Sequence, residues 1–308
     1  MPESNISLKS DKSARGYLCI ISALVIWSSQ GLVVRAAKMP IASIVFYSLV
    51  VSVIFQSFIF LSGPIRRGIP SVRGFLIIFV LSVFAAINSL TYFYSYSYTS
   101  ISNAVFTHYI APVVVMLIAP IFLKEKITLA AVFSITIASG GLWIIMRDVS
   151  VMDIAAQLFS PDSTTTAAAR FRPDTIGILC GLASGVAYGA VIVILKIISG
   201  QYNKYVVVFF QNLFMAVLIA PFAGPIPRDA GSLMIIAVIG LFYSTVATYL
   251  YFSGISYVRA NKAAILGYIE PIGAILLGGL LMAELPERLS VLGGALIIAA
   301  GYIIIKKG

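Results

Sequence analysis

Apolar runs of roughly twenty residues follow one another along almost the whole chain, broken only by short polar or basic segments. About 20 predominantly apolar residues in a helix span a bilayer core. The pattern predicts ten spans, near 16–36, 41–62, 72–93, 101–122, 128–146, 176–197, 204–223, 232–254, 261–282 and 289–305. The connections after the third and eighth spans are short, so each of these spans forms a tight hairpin with its successor. The fold class expected is an all-α integral membrane protein.

The pattern occurs twice. Tyr92, Tyr98, Ala104, Tyr109, Ile110, Pro112, Leu117 and Glu125 recur 159 positions later as Tyr251, Tyr257, Ala263, Tyr268, Ile269, Pro271, Leu276 and Glu284. At an offset of 161, Gly16, Cys19 and Trp27 pair with Gly177, Cys180 and Tyr188. A duplicated chain is therefore expected. Its predicted parts are an N-terminal tail (1–15), a first five-helix repeat (16–146), an outer linker (147–175) and a second five-helix repeat (176–308). Within the linker, Val149 to Phe159 is amphipathic and suits an interface, and Ser160 to Ala169 reads as a connector, with a lid as the alternative.

Composition agrees with a membrane setting. Hydrophobic residues make up 60% of the chain and charged ones 10%, where soluble domains carry about a quarter charged. The first apolar run follows fifteen polar residues and no small-residue cleavage site comes after it, so it reads as a retained helix. The net charge of +10 belongs to segments flanking spans, as the positive-inside rule requires, and no nucleic-acid partner is expected. With a cytoplasmic N-terminus, 14 of the 21 basic residues fall inside and 7 outside. Both termini are thus expected in the cytoplasm, with the protein in the cell (inner) membrane. Five spans per copy is an odd number, so the second copy enters the bilayer inverted. Lys124-Glu125-Lys126 against Ala283-Glu284-Leu285 fits this, because the inward copy alone bears lysines. Inverted repeats that build a midplane site are typical of secondary transporters. Cys19 and Cys180 read as small packing residues. No metal-ligand spacing occurs, and no cofactor is expected.

Ionisable groups at membrane depth are costly and mark function by default. Only Glu270 among the acids, and the single histidine, His108, lie near span centres. On helical spacing Ala104, His108, Ala111 and Val115 share one face, and Ala263, Gly267, Glu270 and Ala274 share the equivalent face. Each copy then presents a small-residue stripe with one ionisable group, aimed at a common central cavity. The bland alternatives are a packed, hydrogen-bonded His108 and a Glu270 that satisfies backbone groups freed by Pro271. Pro112 and Pro271 remove backbone donors in mid-span and are candidate hinges. Further cavity candidates are Trp27, Gln30, Asn88, Tyr92, Tyr188, Gln211, Asn212 and Tyr243. The other tyrosines near 92–98 read as an interfacial belt. Arg35 and Lys196 are repeat mates; snorkelling is the default for both, and gating the alternative. Ser139-Gly140-Gly141, Gly278-Gly279 and Gly293-Gly294 suit close helix packing.

A Tyr-Ile-Xaa-Pro entry with a glutamate thirteen residues after the proline, in both halves, resembles the drug/metabolite transporter superfamily with paired EamA-type domains. The resemblance covers all but the tail and the linker. It implies a ten-helix bundle around a central cavity, with alternating access by rocking. Members export amino acids and other small metabolites, one branch aromatic amino acids; relatives import choline, nucleotide sugars or sugar phosphates. The lack of a basic cluster in mid-span speaks against phosphate-bearing substrates.

The reading is a secondary transporter exporting a small zwitterionic or cationic metabolite such as an amino acid. Glu270 is then the counter-charge for an amine or the proton-coupling site, with His108 as polar contact or relay. Low dielectric favours the neutral form of a carboxyl, which is what coupling to a proton needs. An organic-cation importer such as one for choline, a uniporter and a passive facilitator are the alternatives. An intramembrane enzyme is not expected: no paired acids exist in the spans, and Ser139 and Ser184 sit in packing stretches. Ten spans enclose a cavity alone, so a monomer is expected, with a homodimer as the alternative.

Overall fold

The structure is a computed structural model that describes residues 3–37, 39–60, 70–99, 101–145, 173–273, 277 and 288–307. The described chain is helical. In order run α1 (Glu3–Ser28), α2 (Gln30–Ala36), α3 (Ile41–Phe60), α4 (Val72–Tyr98), α5 (Ile101–His108), α6 (Ala111–Leu123) and α7 (Leu129–Ile145). After them come α8 (Pro173–Ile198), α9 (Lys204–Ile219), α10 (Ala230–Val238), a π-helical segment (Ile239–Ala247), α11 (Thr248–Ile255), α12 (Ala260–Leu266) and α13 (Arg288–Lys307). Helix α1 begins at Glu3, well before the apolar run, so the described part of the tail is helical.

Among the described residues, six stretches are long and apolar enough to cross a bilayer: Ser13–Val34, Ile41–Ile59, Val72–Tyr98, Thr175–Ile198, Lys204–Phe222 and Ala230–Ile255. They correspond to the expected spans one, two, three, six, seven and eight. The expected fourth span is not one helix. It divides at Tyr109–Ile110, where Pro112 has no backbone N–H to continue the ladder. The expected ninth span divides at the equivalent place: Gly267, Tyr268 and Glu270 make i→i−3 bonds of 3.0–3.2 Å, and helix resumes at 269–273. The fifth and tenth survive as α7 and α13. Glu284, Leu276, Ala274, Gly278, Gly279 and the linker at 146–172 lie outside the described residues, as does the side chain of Arg35.

Three polar caps start helices in the connections. Ser71 accepts from Gly74 N at 3.4 Å, Asn203 from Tyr205 N at 3.0 Å, and Asp229 from Ser232 N at 2.8 Å. Helix α8 packs along α4 and against both α5 and α6; α9 lies on α3, and α7 lies on α13. The reason is legible along α8, where Gly177, Gly181, Gly185 and Gly189 recur every fourth residue. A Cβ on Gly185 would collide with the His108 carbonyl, and one on Gly181 with Thr107. This strip of bare backbone admits the broken α5–α6 pair at close range. Gly141 does the same for α13, since a Cβ there would stand 2.6 Å from the Gly293 carbonyl. Gly140 and Gly294, by contrast, face no neighbour within 4 Å.

Candidate functional site

A cavity of about 140 Å³ opens between α1, α3, α4, α8, α9, the π segment, α11 and the broken ninth span. At roughly 10–15 Å³ for each water position, it suits a small metabolite. All nine residues singled out from sequence as substrate contacts line it: Trp27, Gln30, Asn88, Tyr92, His108, Tyr188, Gln211, Tyr243 and Glu270. Asn212 lines it too. Unforeseen contributors include Tyr251, Ser48, Thr248 and the apolar Val45, Leu49 and Met215. Apolar cavity residues give no signal in a membrane protein, because lipid and cavity walls take the same side chains. Tyr251 carried the one available signal, its repeat relation to Tyr92.

Glu270 follows the break at Gly267–Tyr268, which places it on the cavity wall. Its carboxyl lies in electrostatic reach of the phenol groups of Tyr92, Tyr109, Tyr188 and Tyr251. The described lining contains neither lysine nor arginine. Tyr109 adjoins the carboxyl, and its enclosed hydroxyl lacks an aligned hydrogen-bond partner. The enclosed Oδ1 of Asn88 and Oε1 of Gln211 lack partners as well. Enclosed polar atoms of this kind are uncommon.

His108 is held on both faces and at its edge. Its ring stacks on Tyr92 with centroids 4.0 Å apart and on Tyr188 at 5.2 Å, with interplanar angles of 19° and 23°. The Ser184 hydroxyl donates to the Gly181 carbonyl at 2.7 Å, so its oxygen accepts the proton of His108 Nδ1 at 2.8 Å. The expected alternative of a packed, hydrogen-bonded histidine therefore describes its geometry. Ser184 is thereby engaged by both His108 and the Gly181 carbonyl.

Helix α1 breaks at Ser29, where the hydroxyls of Ser28 and Ser29 return to the carbonyls of Val25 and Ile26 at 2.6 and 2.9 Å. Ser29 Oγ also meets Tyr243 OH at 2.6 Å, and Trp27 Nε1 donates to Tyr243 O at 3.2 Å. That carbonyl is available because Tyr243 lies in the π segment, whose wider turns also turn Ser244 O toward Asn212 Nδ2 at 2.9 Å. Nothing in the sequence announced the π segment. Such bulges recur at functional sites. Of the tyrosines at 92–98, Tyr92 faces the cavity while Tyr94 and Tyr98 face outward.

A cluster of polar contacts borders the cavity. Leu195 and Tyr251 line it, and one residue or one turn further on Lys196 Nζ donates to the carbonyls of Ile255 and Val258 at 2.8 and 2.7 Å. Beside it Glu125 accepts from the amides of Ala260 and Asn261 at 3.0 and 3.4 Å. Arg259 stands 3.9 Å from the same carboxylate and donates to Lys126 O at 2.8 Å. Lys196 thus engages carbonyls and does not simply reach for headgroups.

A sequence profile of the EamA-like transporter family matches this chain twice, over residues 14–147 and 175–306. The chain belongs to that family. It is an integral membrane protein and a transporter of the drug/metabolite superfamily. Curated relatives agree. An uncharacterized transporter, YxxF of Bacillus subtilis, is 22% identical over 297 residues, covering 95% of this chain and 90% of its own. The pseudopaline exporter CntI of Pseudomonas aeruginosa is 24% identical over 307 residues, covering 95% and 97%. A protein of known crystal structure superposes with a TM-score of 0.75 at 16% identity, over 95% of this chain and 99% of its own. That likeness concerns the fold alone.

Proposed function

We propose that this EamA-family transporter exports a small metabolite bearing an ammonium group, an amino acid or a related zwitterionic or cationic compound. The carrying observation is Glu270: one carboxyl on the cavity wall, ringed by tyrosines, with no cationic side chain in the described lining. An ammonium supplies the missing partner, and the surrounding rings add cation–π attraction. Glu270 also serves as the proton-coupling site, and His108, with Nε2 not engaged by Ser184, is the polar relay. The pseudopaline exporter among the relatives supports the outward direction.

The mechanism is alternating access between two inverted five-helix repeats of a ten-span monomer in the inner membrane, with both termini cytoplasmic. Tyr109 and Tyr268 are repeat mates that stack on each other, and both parent spans break at the same place. These features support a two-copy arrangement whose halves meet at the cavity, with Pro112 and Pro271 as hinges. The Glu125–Arg259 and Lys196 contacts close the cytoplasmic end in this reading.

Thermal stabilisation of the purified protein by amino acids, polyamines and quaternary amines tests the proposal, since a ligand of the folded state raises the midpoint by mass action. Stabilisation of the wild type and not of Glu270→Gln is expected. Equal stabilisation of both removes Glu270 from the binding site. Uptake of labelled ligand into proteoliposomes preloaded with unlabelled ligand separates a carrier, which shows counterflow, from a passive facilitator, which does not.

A further inference from the structure

The ends of α6 and α13 and the start of α12 come together, and all three bring cations. Lys124 and Lys126 follow α6, Arg259 and Lys262 stand at the start of α12, and Lys306 and Lys307 close α13. Contacts link them in a row. Arg259 donates to the Lys126 carbonyl at 2.8 Å and lies in electrostatic reach of Lys262, three residues on. Lys262 Nζ reaches the Ile305 carbonyl at 3.5 Å, which brings it beside Lys306. The carboxylate at this junction, Glu125, is turned inward: its side chain is only 10% exposed, and its oxygens take the amides of Ala260 and Asn261. Among the described residues, Lys124, Lys126, Lys306 and Lys307 meet no carboxylate. Like charges held this close repel, and an anion is the group that relieves them.

The flanks of the cluster are apolar and exposed. Ile121, Phe122 and Ile127 adjoin Lys124 and Lys126 in sequence. On α13, exposed Ile298 and Tyr302 lie two turns and one turn before Lys306, whose ammonium sits 5.1 Å from the centre of the Tyr302 ring. A free phosphate would use the cations alone. A phospholipid uses both features, its headgroup on the cations and its chains along the apolar flank. We propose that this junction is a seat for the headgroup of an anionic phospholipid. The seat draws on both segments that match the family profile, with Lys124 and Lys126 in the first and Arg259, Lys262 and Lys306 in the second. A bound headgroup therefore bridges the two segments where Arg259 already meets Lys126. The seat is separate from the cavity and independent of what the cavity carries.

The purified protein in detergent is titrated with dioleoyl phosphatidylglycerol, with dioleoyl phosphatidylcholine and with inorganic phosphate, following the thermal midpoint. The choline lipid shares the chains and the phosphate but has no net charge. Stabilisation by phosphatidylglycerol alone is expected, since a ligand of the folded state raises the midpoint by mass action. Each basic side chain near an anionic headgroup contributes about fivefold in affinity, so Lys126→Gln/Lys306→Gln should need about 25-fold more phosphatidylglycerol for the same rise. Arg73→Gln/Arg228→Gln removes two charges from exposed positions elsewhere and should respond as the wild type does. Each protein is read against its own midpoint in phosphatidylcholine, so a general loss of stability does not imitate a loss of binding. Equal stabilisation by the two lipids overturns the seat. Stabilisation by inorganic phosphate to the same extent replaces it with a free-anion site. A response of Arg73→Gln/Arg228→Gln weakened as far as that of Lys126→Gln/Lys306→Gln reduces it to net charge.

Discussion

Tyr109 and Tyr268, 159 positions apart in sequence, lie face to face with ring centroids 5.4 Å apart and an interplanar angle of 25°. The Tyr268 hydroxyl reaches the Tyr109 carbonyl at 3.4 Å and Ser139 Oγ at 2.9 Å. Each tyrosine stands at the break of its span, so the pair joins the two discontinuities and ties both to α7. Around it Ala138, Leu142, Ile297 and Ala300 form a small core of their own.

Removing one ring of this pair leaves a cavity between the breaks. Tyr268→Ala should therefore destabilise by about 3–5 kcal/mol, as other large aromatic truncations in packed interiors do. Tyr268→Phe keeps the stack and loses only hydroxyl contacts, at about 1 kcal/mol. Thermal unfolding in detergent compares the two. Similar losses for both variants would mean that the hydroxyl network, and not the stack, holds the breaks together.

Gly185 bears the closest approach of α8 to the broken span. Its missing side chain makes room for the His108 carbonyl, and its neighbour Ser184 supplies the oxygen that fixes the His108 ring. Gly185→Ala must push a methyl group against the His108 backbone, which has no flexible end to yield. Overpacking of this kind costs about 1–3 kcal/mol. The same substitution at Gly140, which faces nothing within 4 Å, should be close to neutral or stabilising through helix propensity. A lower midpoint for the first and an unchanged or higher one for the second is the expected pair of results.

The candidate site was legible where chemistry is costly in lipid. Glu270, His108, Asn88 and Gln211 stand out in apolar spans because each needs a partner there, and all four line one cavity. The fold was less legible where backbone geometry decides. Pro112 pointed to a kink, but a full break depends on the Gly-rich face of α8 accepting the two half-helices, which is a contact between distant segments. The π segment depends on the side chains of Trp27, Asn212 and Thr248 drawing on its carbonyls. No local pattern encodes that. The two-residue change of repeat offset, 159 against 161, still allowed the Trp27–Tyr188 pairing to be read.

Asp229, outside the spans at the start of α10, is fully exposed and accepts the backbone N–H of Ser232. That bond holds its pKa below the usual 3.8. A depressed folded-state pKa contributes stability above the unfolded value that disappears as pH falls through the folded one. Wild type should therefore lose thermal stability faster than Asp229→Asn on acidification from pH 5 toward pH 3. Asparagine still caps the helix but does not titrate. Parallel pH profiles for the two proteins would exclude a charged cap.

Glu125 is the residue on which the proposed closure of the cytoplasmic end depends. It gives the amides of Ala260 and Asn261 an acceptor at the point where α12 leaves its loop, while Lys196 holds the carbonyls of the preceding turn. The amide bonds should matter more than the ion pair, because Arg259 is over a third exposed and 3.9 Å away. Exposed pairs contribute about 0–1 kcal/mol, and a lost cap about 1–2. Arg259→Gln should then be mild, Glu125→Gln intermediate because one acceptor oxygen remains, and Glu125→Ala the most damaging. The same order is expected in a second measurement. With Ser256→Cys as reporter in the turn that Lys196 bridges, a polar maleimide should label Glu125→Ala faster than wild type, as the closed end loosens. Labelling that stays at the wild-type rate, beside a lowered midpoint, would make Glu125 a helix cap and nothing more.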